Sequence, residues 1–187
     1  MKIGYALTGS FCTFSKSLQA LEKIVQSGID VTPIMSETAY STDTRFGDAL
    51  YFRNRLMELT GHSIIHTIEQ AEPIGPKKKF DVLAVVPCTG NTLAKLANGI
   101  ADTAVTMAVK SHLRNGRPVV IGISTNDALG GAAKNIGALM NYKNYYFVPF
   151  AQDDAVNKPR SLVCRFSLVH DTVEAAYDGY ELNQKLL

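Results

Sequence analysis

Hydroxyl and amide side chains crowd into two short stretches, each placed where a strand should give way to a helix. Cys88-Thr89-Gly90-Asn91-Thr92 follows the apolar run 82–86 and Pro87, and Leu93, Leu96, Ala97 and Ile100 then recur at helical spacing. Thr8-Gly9-Ser10-Phe11-Cys12-Thr13 stands between the apolar run 3–8 and a helix carrying Leu18, Leu21 and Val25 on one face. A strand that opens through small residues into a helix gathers free backbone N–H groups and a positive dipole end at one point, which suits an anion such as a phosphate. The same pattern also describes an ordinary turn capped by Thr89 or Asn91.

Absent fingerprints narrow the ligand. No G-x-G-x-x-G and no G-x-x-x-x-G-K-[ST] occurs in the chain, which disfavours NAD and ATP in their familiar modes. Loops that offer hydroxyls and backbone amides without a lysine suit a single phosphate, as in a mononucleotide such as FMN. Ser10, Thr89 and Thr92 can donate directly, and Ser36 at the end of the run 31–35 can reach the same ligand.

These loops need a frame that brings them together. Apolar runs at 3–8, 31–35, 82–86, 117–123 and 145–149 alternate with helical patterns, and a weaker run at 63–66 supplies a further strand. The strands are continuous apolar runs rather than period-2 alternations, so the sheet is parallel and covered by helices on both faces: a three-layer, doubly wound, Rossmann-like α/β fold in one domain, 1–187. In strand order 3-2-1-4-5-6 the first and fourth strands adjoin at the reversal of winding, where ligands bind beyond the carboxyl ends. That order sets the Gly9 and Gly90 loops face to face. The same reading expects one helix over 45–59, an exposed turn-rich loop over 69–79, a helical region bending at Gly99, and inner-face positions at Ala132, Ile136, Leu139 and Met140. A terminal helix carries Val173, Tyr177 and Tyr180.

Composition excludes several classes. A hydrophobic fraction of 46%, a charged fraction of 19% and a net charge of +2 describe a globular chain with no nucleic-acid patch, since Lys77-Lys78-Lys79 reads as a solvated turn. No apolar stretch approaches the ~18 residues a membrane span needs, and the start of the chain reads as a strand rather than a signal peptide. Three cysteines, Cys12, Cys88 and Cys164, lack C-x-x-C or metal-ligand spacing, so no metal is expected and a reducing cytoplasm is inferred. His62, His112 and His170 read as structural or surface residues.

Pro87-Cys88-Thr89-Gly90-Asn91-Thr92-Leu93-Ala94-Lys95-Leu96-Ala97-Asn98-Gly99-Ile100-Ala101-Asp102 resembles the P-x-S-A-N-T-x-x-K-x-A-x-G-x-x-D motif of the FMN-binding flavoproteins that include the phosphopantothenoylcysteine and lantibiotic cysteine decarboxylases. Thr89-Gly90 replaces Ser-Ala and keeps a hydroxyl. The Gly9-Ser10 loop, Ser36-Glu37-Thr38-Ala39 and Val148-Pro149-Phe150-Ala151-Gln152-Asp153 extend the likeness over nearly the whole chain. The resemblance implies that Gly9, Ser10, Ser36, Thr89, Asn91, Thr92 and Thr106 surround FMN, in a homo-oligomer with cofactor sites near subunit contacts. It further implies a role in oxidising a dihydrodipicolinate-type precursor, a small cyclic dicarboxylate, to dipicolinate in the mother cell of a sporulating bacterium, together with a partner protein that binds NAD(P).

Departures from the decarboxylase pattern bear on mechanism. His66-Thr67-Ile68-Glu69 is similar to the relatives' His-x-Glu, but the insertion 73–79 separates it from the following strand, and a general base must lie within hydrogen-bond reach of its proton. The relatives' P-A-M-N segment falls at Ser124-Thr125-Asn126-Asp127, where Asn126 keeps the amide. His66, Asn91 and Asn126 are the catalytic candidates, and Lys134 and Arg160 are candidates for meeting a dicarboxylate. Two other readings remain open: a stand-alone flavin-dependent decarboxylase or prenyl-FMN-type transferase, and a non-catalytic stabilising subunit.

Overall fold

The computed structural model describes residues 1–182 and residue 186; the expected domain 1–187 therefore ends in residues that lie outside the described ones. Strand β1 (Lys2–Leu7) passes through a 3-10 turn at Phe11–Thr13 into α1 (Phe14–Gln26). Next come β2 (Asp30–Met35), α2 (Glu37–Ser41), α3 (Ala49–Thr60) and α4 (Ile68–Ala71). Strand β3 (Val82–Cys88) leads into α5 (Gly90–Ala97) and α6 (Ala104–Leu113). Then follow β4 (Val119–Thr125), α7 (Ala133–Met140), β5 (Tyr145–Phe147), β6 (Phe150–Ala151), β7 (Leu162–Cys164) and α8 (Val169–Tyr177).

The sheet runs β2-β1-β3-β4-β7-β6, with β5 paired to the first half of β4. Strands β1 to β5 pair in parallel, and every residue of β3 is buried, as a central strand covered on both faces requires. Helices α1, α3 and α8 pack together on one face and α4, α5, α6 and α7 on the other. The three-layer, doubly wound arrangement follows from that distribution, and one cluster of buried residues from Ile3 to Ala176 forms the core on both sides of the sheet.

The expected third strand shrinks to a single parallel bridge, Ile34 to Ile65. Its neighbour Thr67 opens α4 with a capping box, accepting the Gln70 N–H while Gln70 reaches back, and this turns the chain out of the sheet. The second half of β4 departs from the parallel rule, pairing Ser124 and Thr125 antiparallel with Val163 and Leu162. Strands β6 and β7, of two and three residues, are too short to have shown as apolar runs.

Other expectations are corrected in detail. Residues 69–79 are not an exposed loop: Ala71 and Ile74 are buried against α6, and Gly75 lies so close to it that a Cβ would come 2.4 Å from the Ser111 carbonyl oxygen. The helix expected over 45–59 begins at Ala49. Gly99 does not bend one helix; at φ +68° it follows α5, and Thr103 starts α6 afresh with its own capping box. Ile100, Met140, Tyr177 and Tyr180 are exposed; α8 turns Val173 inward as expected, and with it Val169, Thr172, Ala175 and Ala176. Among the described residues no helix is long and apolar enough to cross a membrane.

Candidate functional site

The carboxyl ends of β1, β3 and β4 meet at one crevice, and Thr8 rivets the first two. Its hydroxyl donates to the Pro87 carbonyl at 2.8 Å and accepts the Thr89 N–H at 3.0 Å, while its own N–H donates to Pro87 at 3.2 Å. The Gly9 and Gly90 loops are thereby held side by side. Beyond Thr8, the Ser10 hydroxyl lies 2.7 Å from the Ser124 hydroxyl on β4, and Thr13 donates to the Ser10 carbonyl at 2.8 Å while standing 3.3 Å from Ser124. Three hydroxyls from β1's loop and β4 thus form one closed cluster at the floor of the crevice.

A cavity of about 330 Å³ opens over this floor, lined by Gly9, Ser10, Thr13, Thr89, Ser124 and Asn126, with Cys12, Phe46, Asp153 and Lys158 around it. Burial would raise the Asp153 carboxyl, but hydrogen bonds from Ser161 and from its own backbone, together with the Lys158 ammonium 3.5 Å away, outweigh that and hold it below the usual carboxylate range. The Ser161 hydroxyl also lies 3.5 Å from Asn126 Oδ1, which sets the end of β4 beside the segment before β7.

Helix starts along this edge are satisfied differently. Ser36, Thr89 and Thr103 each accept an N–H of the helix they open, but the 3-10 entrance to α1 has no side-chain cap, because Ser10 turns its hydroxyl to Ser124. At Gly90 the neighbouring carboxylate matters: a Cβ there would stand 2.8 Å from Asp127 Oδ1 and 2.8 Å from Thr125 Oγ1, which themselves share a 2.6 Å hydrogen bond. An anion seated in this crevice therefore finds its open donors on the Ser10 side, while an internal carboxylate already stands against the first turn of α5.

Comparison with known proteins identifies the lineage of this arrangement. A model of the family described as Flavoprotein matches residues 1–178. The chain belongs to the flavoprotein family. This flavoprotein is 45% identical over 186 residues to the B subunit of dipicolinate synthase from Bacillus subtilis (strain 168), covering 100% of this chain and 93% of that one. It superposes on the crystal structure of the corresponding dipicolinate synthase B subunit from Bacillus halodurans with a TM-score of 0.91 at 44% identity, covering 100% of this chain and 95% of that chain. Burkholderia xenovorans DmrB in complex with FMN shares the fold alone, with a TM-score of 0.64 at 18% identity over 79% of this chain and 87% of that chain.

Of the residues singled out in the sequence, the flavoprotein brings Gly9, Ser10, Thr89 and Asn126 to one cavity. Ser36 ends the adjacent strand, and its hydroxyl caps α2 through Ala39 N–H at 3.3 Å. Thr92 is buried, its hydroxyl accepting from Thr89 at 3.1 Å, and Asn91 projects to the surface of α5. Thr106 stands apart: its hydroxyl is used in the α6 capping box with Thr103, beside an apolar cavity lined by Leu96, Val109 and Leu113. His66 also stands apart, stacked on Tyr40 with ring centroids 3.8 Å apart. Lys134 is exposed on α7, and Arg160 packs along Gly130, where a Cβ would meet its Cδ at 3.4 Å.

Thr8, Thr13, Ser124, Asp153 and Lys158 belong to the site and were not singled out as site residues. The polar run after the strand at 117–123 held a signal for Ser124; Lys158 had none, since its place depends on the β6–β7 turn. The donor set fits a phosphate monoester: hydroxyls converge on an uncapped helix entrance, Gly9 adds no side chain over them, and the one lysine sits at the rim paired with Asp153.

Proposed function

We propose that this chain is the FMN-binding B subunit of a dipicolinate synthase, acting with the nicotinamide-binding A subunit of that enzyme to oxidise a dihydrodipicolinate-type precursor to dipicolinate during sporulation. The observation that carries this reading is the likeness to B subunits of dipicolinate synthases over essentially the full length of both chains, with the hydroxyl-lined cavity lying at the switch point of the sheet. Bound FMN would supply reversible acceptance of a hydride, chemistry that no side chain of the site offers.

The chain's own residues have definable tasks in that reading. Ser10 donates to the phosphate, Thr89 lines the cavity with its own protons already given to Thr92 and Thr8, and Thr8 keeps the two loops at a fixed separation. Asn126 offers an amide, and Lys158 a cation, to a carboxylate of the substrate; Asp153 keeps that ammonium at the cavity mouth. His66, stacked on Tyr40 and lining a different hollow with Glu37 and Glu69, is not at the cavity floor, which favours oxidation over a decarboxylase route needing a histidine there. A homo-oligomer belongs to the same reading: Phe46 at the cavity and Leu50 and Tyr51 on α3 expose apolar surface.

The test is to purify the chain alone and with its nicotinamide-binding partner, record the flavin absorption spectrum, and assay dipicolinate. FMN uptake by the chain and dipicolinate formation by the pair are expected. A colourless protein that takes up no added FMN would overturn the cofactor reading, and dipicolinate made by the lone chain would overturn the two-component reading.

A further inference from the structure

A hydroxyl has one proton to give and two lone pairs to fill, so the cluster beneath the cavity can be counted. Thr13 gives its proton to the Ser10 carbonyl at 2.8 Å, in preference to the Ser10 hydroxyl at 3.2 Å. Ser124 then has two acceptors, the Ser10 hydroxyl at 2.7 Å and the Thr13 hydroxyl at 3.3 Å. The shorter contact is at the usual length of an O–H···O bond and the longer one is beyond it. With Ser124 donating to Ser10, the Ser10 proton is left to point into the cavity. With the direction reversed, Ser10 would present only lone pairs there and repel an anion.

Ser124 is suited to fix that direction. It is 4% exposed, its backbone pairs with Val163 of β7, and the preceding residue Ile123 pairs with Cys88 of β3. A hydroxyl that accepts a hydrogen bond becomes a better donor, so the bond from Ser124 also strengthens the one Ser10 makes. We infer that Ser124 is a positioning residue for the phosphate seat: it orients the Ser10 hydroxyl as a donor toward a phosphate monoester in the crevice and acts only through Ser10. The inference rests on reading the Gly9–Thr13 loop as the seat of the FMN phosphate.

The experiment titrates the full chain with FMN and with riboflavin, which lacks the phosphate, following quenching of flavin fluorescence. Wild type is expected to bind FMN more tightly than riboflavin. Ser124→Ala is expected to weaken FMN about tenfold, the scale of one hydrogen bond of this kind, with riboflavin affinity unchanged. Ser10→Ala and the Ser10→Ala/Ser124→Ala double variant are expected to bind FMN equally, because Ser124 has nothing to orient once Ser10 is gone. Ser124→Cys keeps the shape with a weaker donor and should fall between wild type and alanine, which provides a readout should the alanine variant fold poorly. Equal FMN and riboflavin affinities in wild type would remove the phosphate seat and this inference with it. A wild type that prefers FMN and a Ser124→Ala variant that keeps the full preference, or a double variant weaker than Ser10→Ala alone, would overturn the role of Ser124 and leave the seat standing.

Discussion

Glu37 Oε1, in the first turn of α2, accepts the backbone N–H of Ala104, the first residue of α6, at 3.0 Å. Sixty-seven positions apart, these two residues join helices on different loops, and the carboxylate fills an orphan donor that Thr103 leaves open. The start of α6 thus has two of its free N–H groups filled internally, where Ser36 and Thr89 each fill one at the starts of α2 and α5. Glu37→Ala should cost about 1 kcal/mol of stability, the scale of a lost cap, and Glu37→Gln less, because its amide oxygen still accepts. Urea denaturation of the three proteins measures this; identical midpoints would show that the contact carries no stability.

Cys12 should be the thiol that reacts in the native protein. It is exposed and lines the candidate cavity, while Cys88 and Cys164 are buried. Burial, reinforced by Cys164, pushes the Cys88 thiol far up, and burial takes Cys164 up to about 12, so neither offers thiolate at neutral pH. Maleimide followed by peptide mapping is expected to label Cys12 alone, and saturating FMN to slow that labelling. Rapid modification of Cys88 without denaturant would contradict the packing described above.

How much of this was legible in the sequence depends on the range of each interaction. Continuous apolar runs such as 82–86 announce a buried parallel strand, and the strand order followed from the alternation of those runs with helices. Thr67-Ile68-Glu69-Gln70 carried the T-x-x-Q signature of a capping box and would have revealed α4 where an exposed loop was expected. At the site, Gly9, Ser10 and Thr89 stood out because each sits just after a strong strand. Ser124 showed only as part of the polar run after 117–123, and its particular role arises when β1 and β4 bring it to Ser10 across 114 positions. Thr106 was named from a family pattern, and the local T-x-x-T spacing also marks it as the residue that completes the cap begun by Thr103.

Two glycines separate steric from conformational cost. Gly75 has an ordinary backbone conformation at φ −69°, yet an added Cβ would come 2.4 Å from a backbone oxygen of α6 that cannot swing aside. Gly61 ends α3 at φ +69° with nothing within 4 Å of an added Cβ, so a side chain there costs only the left-handed conformation, about 1 kcal/mol. Gly75→Ala should therefore lose about 2–3 kcal/mol, as overpacked core sites do, and more than Gly61→Ala. Equilibrium urea unfolding of both variants decides it, and the opposite ranking would mean that α6 yields where the packing says it is fixed.

His112 should make the fold acid-sensitive. The ring is 1% exposed at the end of α6 and its Nε2 lies 3.0 Å from the Pro118 carbonyl. Burial is the largest influence and lowers its pKa; Arg117 adds to this, the Pro118 carbonyl and Asp81 oppose it, and the outcome is a fall from 6.5 to about 4. Above the unfolded value the ring is neutral in both states and its packing is fully stabilising. As pH falls from about 6.5 to about 4 the unfolded chain takes up a proton that the folded one refuses, so stability drains away across that window, to a limit on the order of 3 kcal/mol for a gap of that size. Below the folded value both states are protonated and the loss levels off. Urea denaturation of wild type and His112→Gln from pH 7.5 to 4.5 is expected to show wild type the more stable near neutrality, with the difference shrinking steadily toward acid. Parallel stability curves for the two proteins would assign the acid sensitivity to other groups.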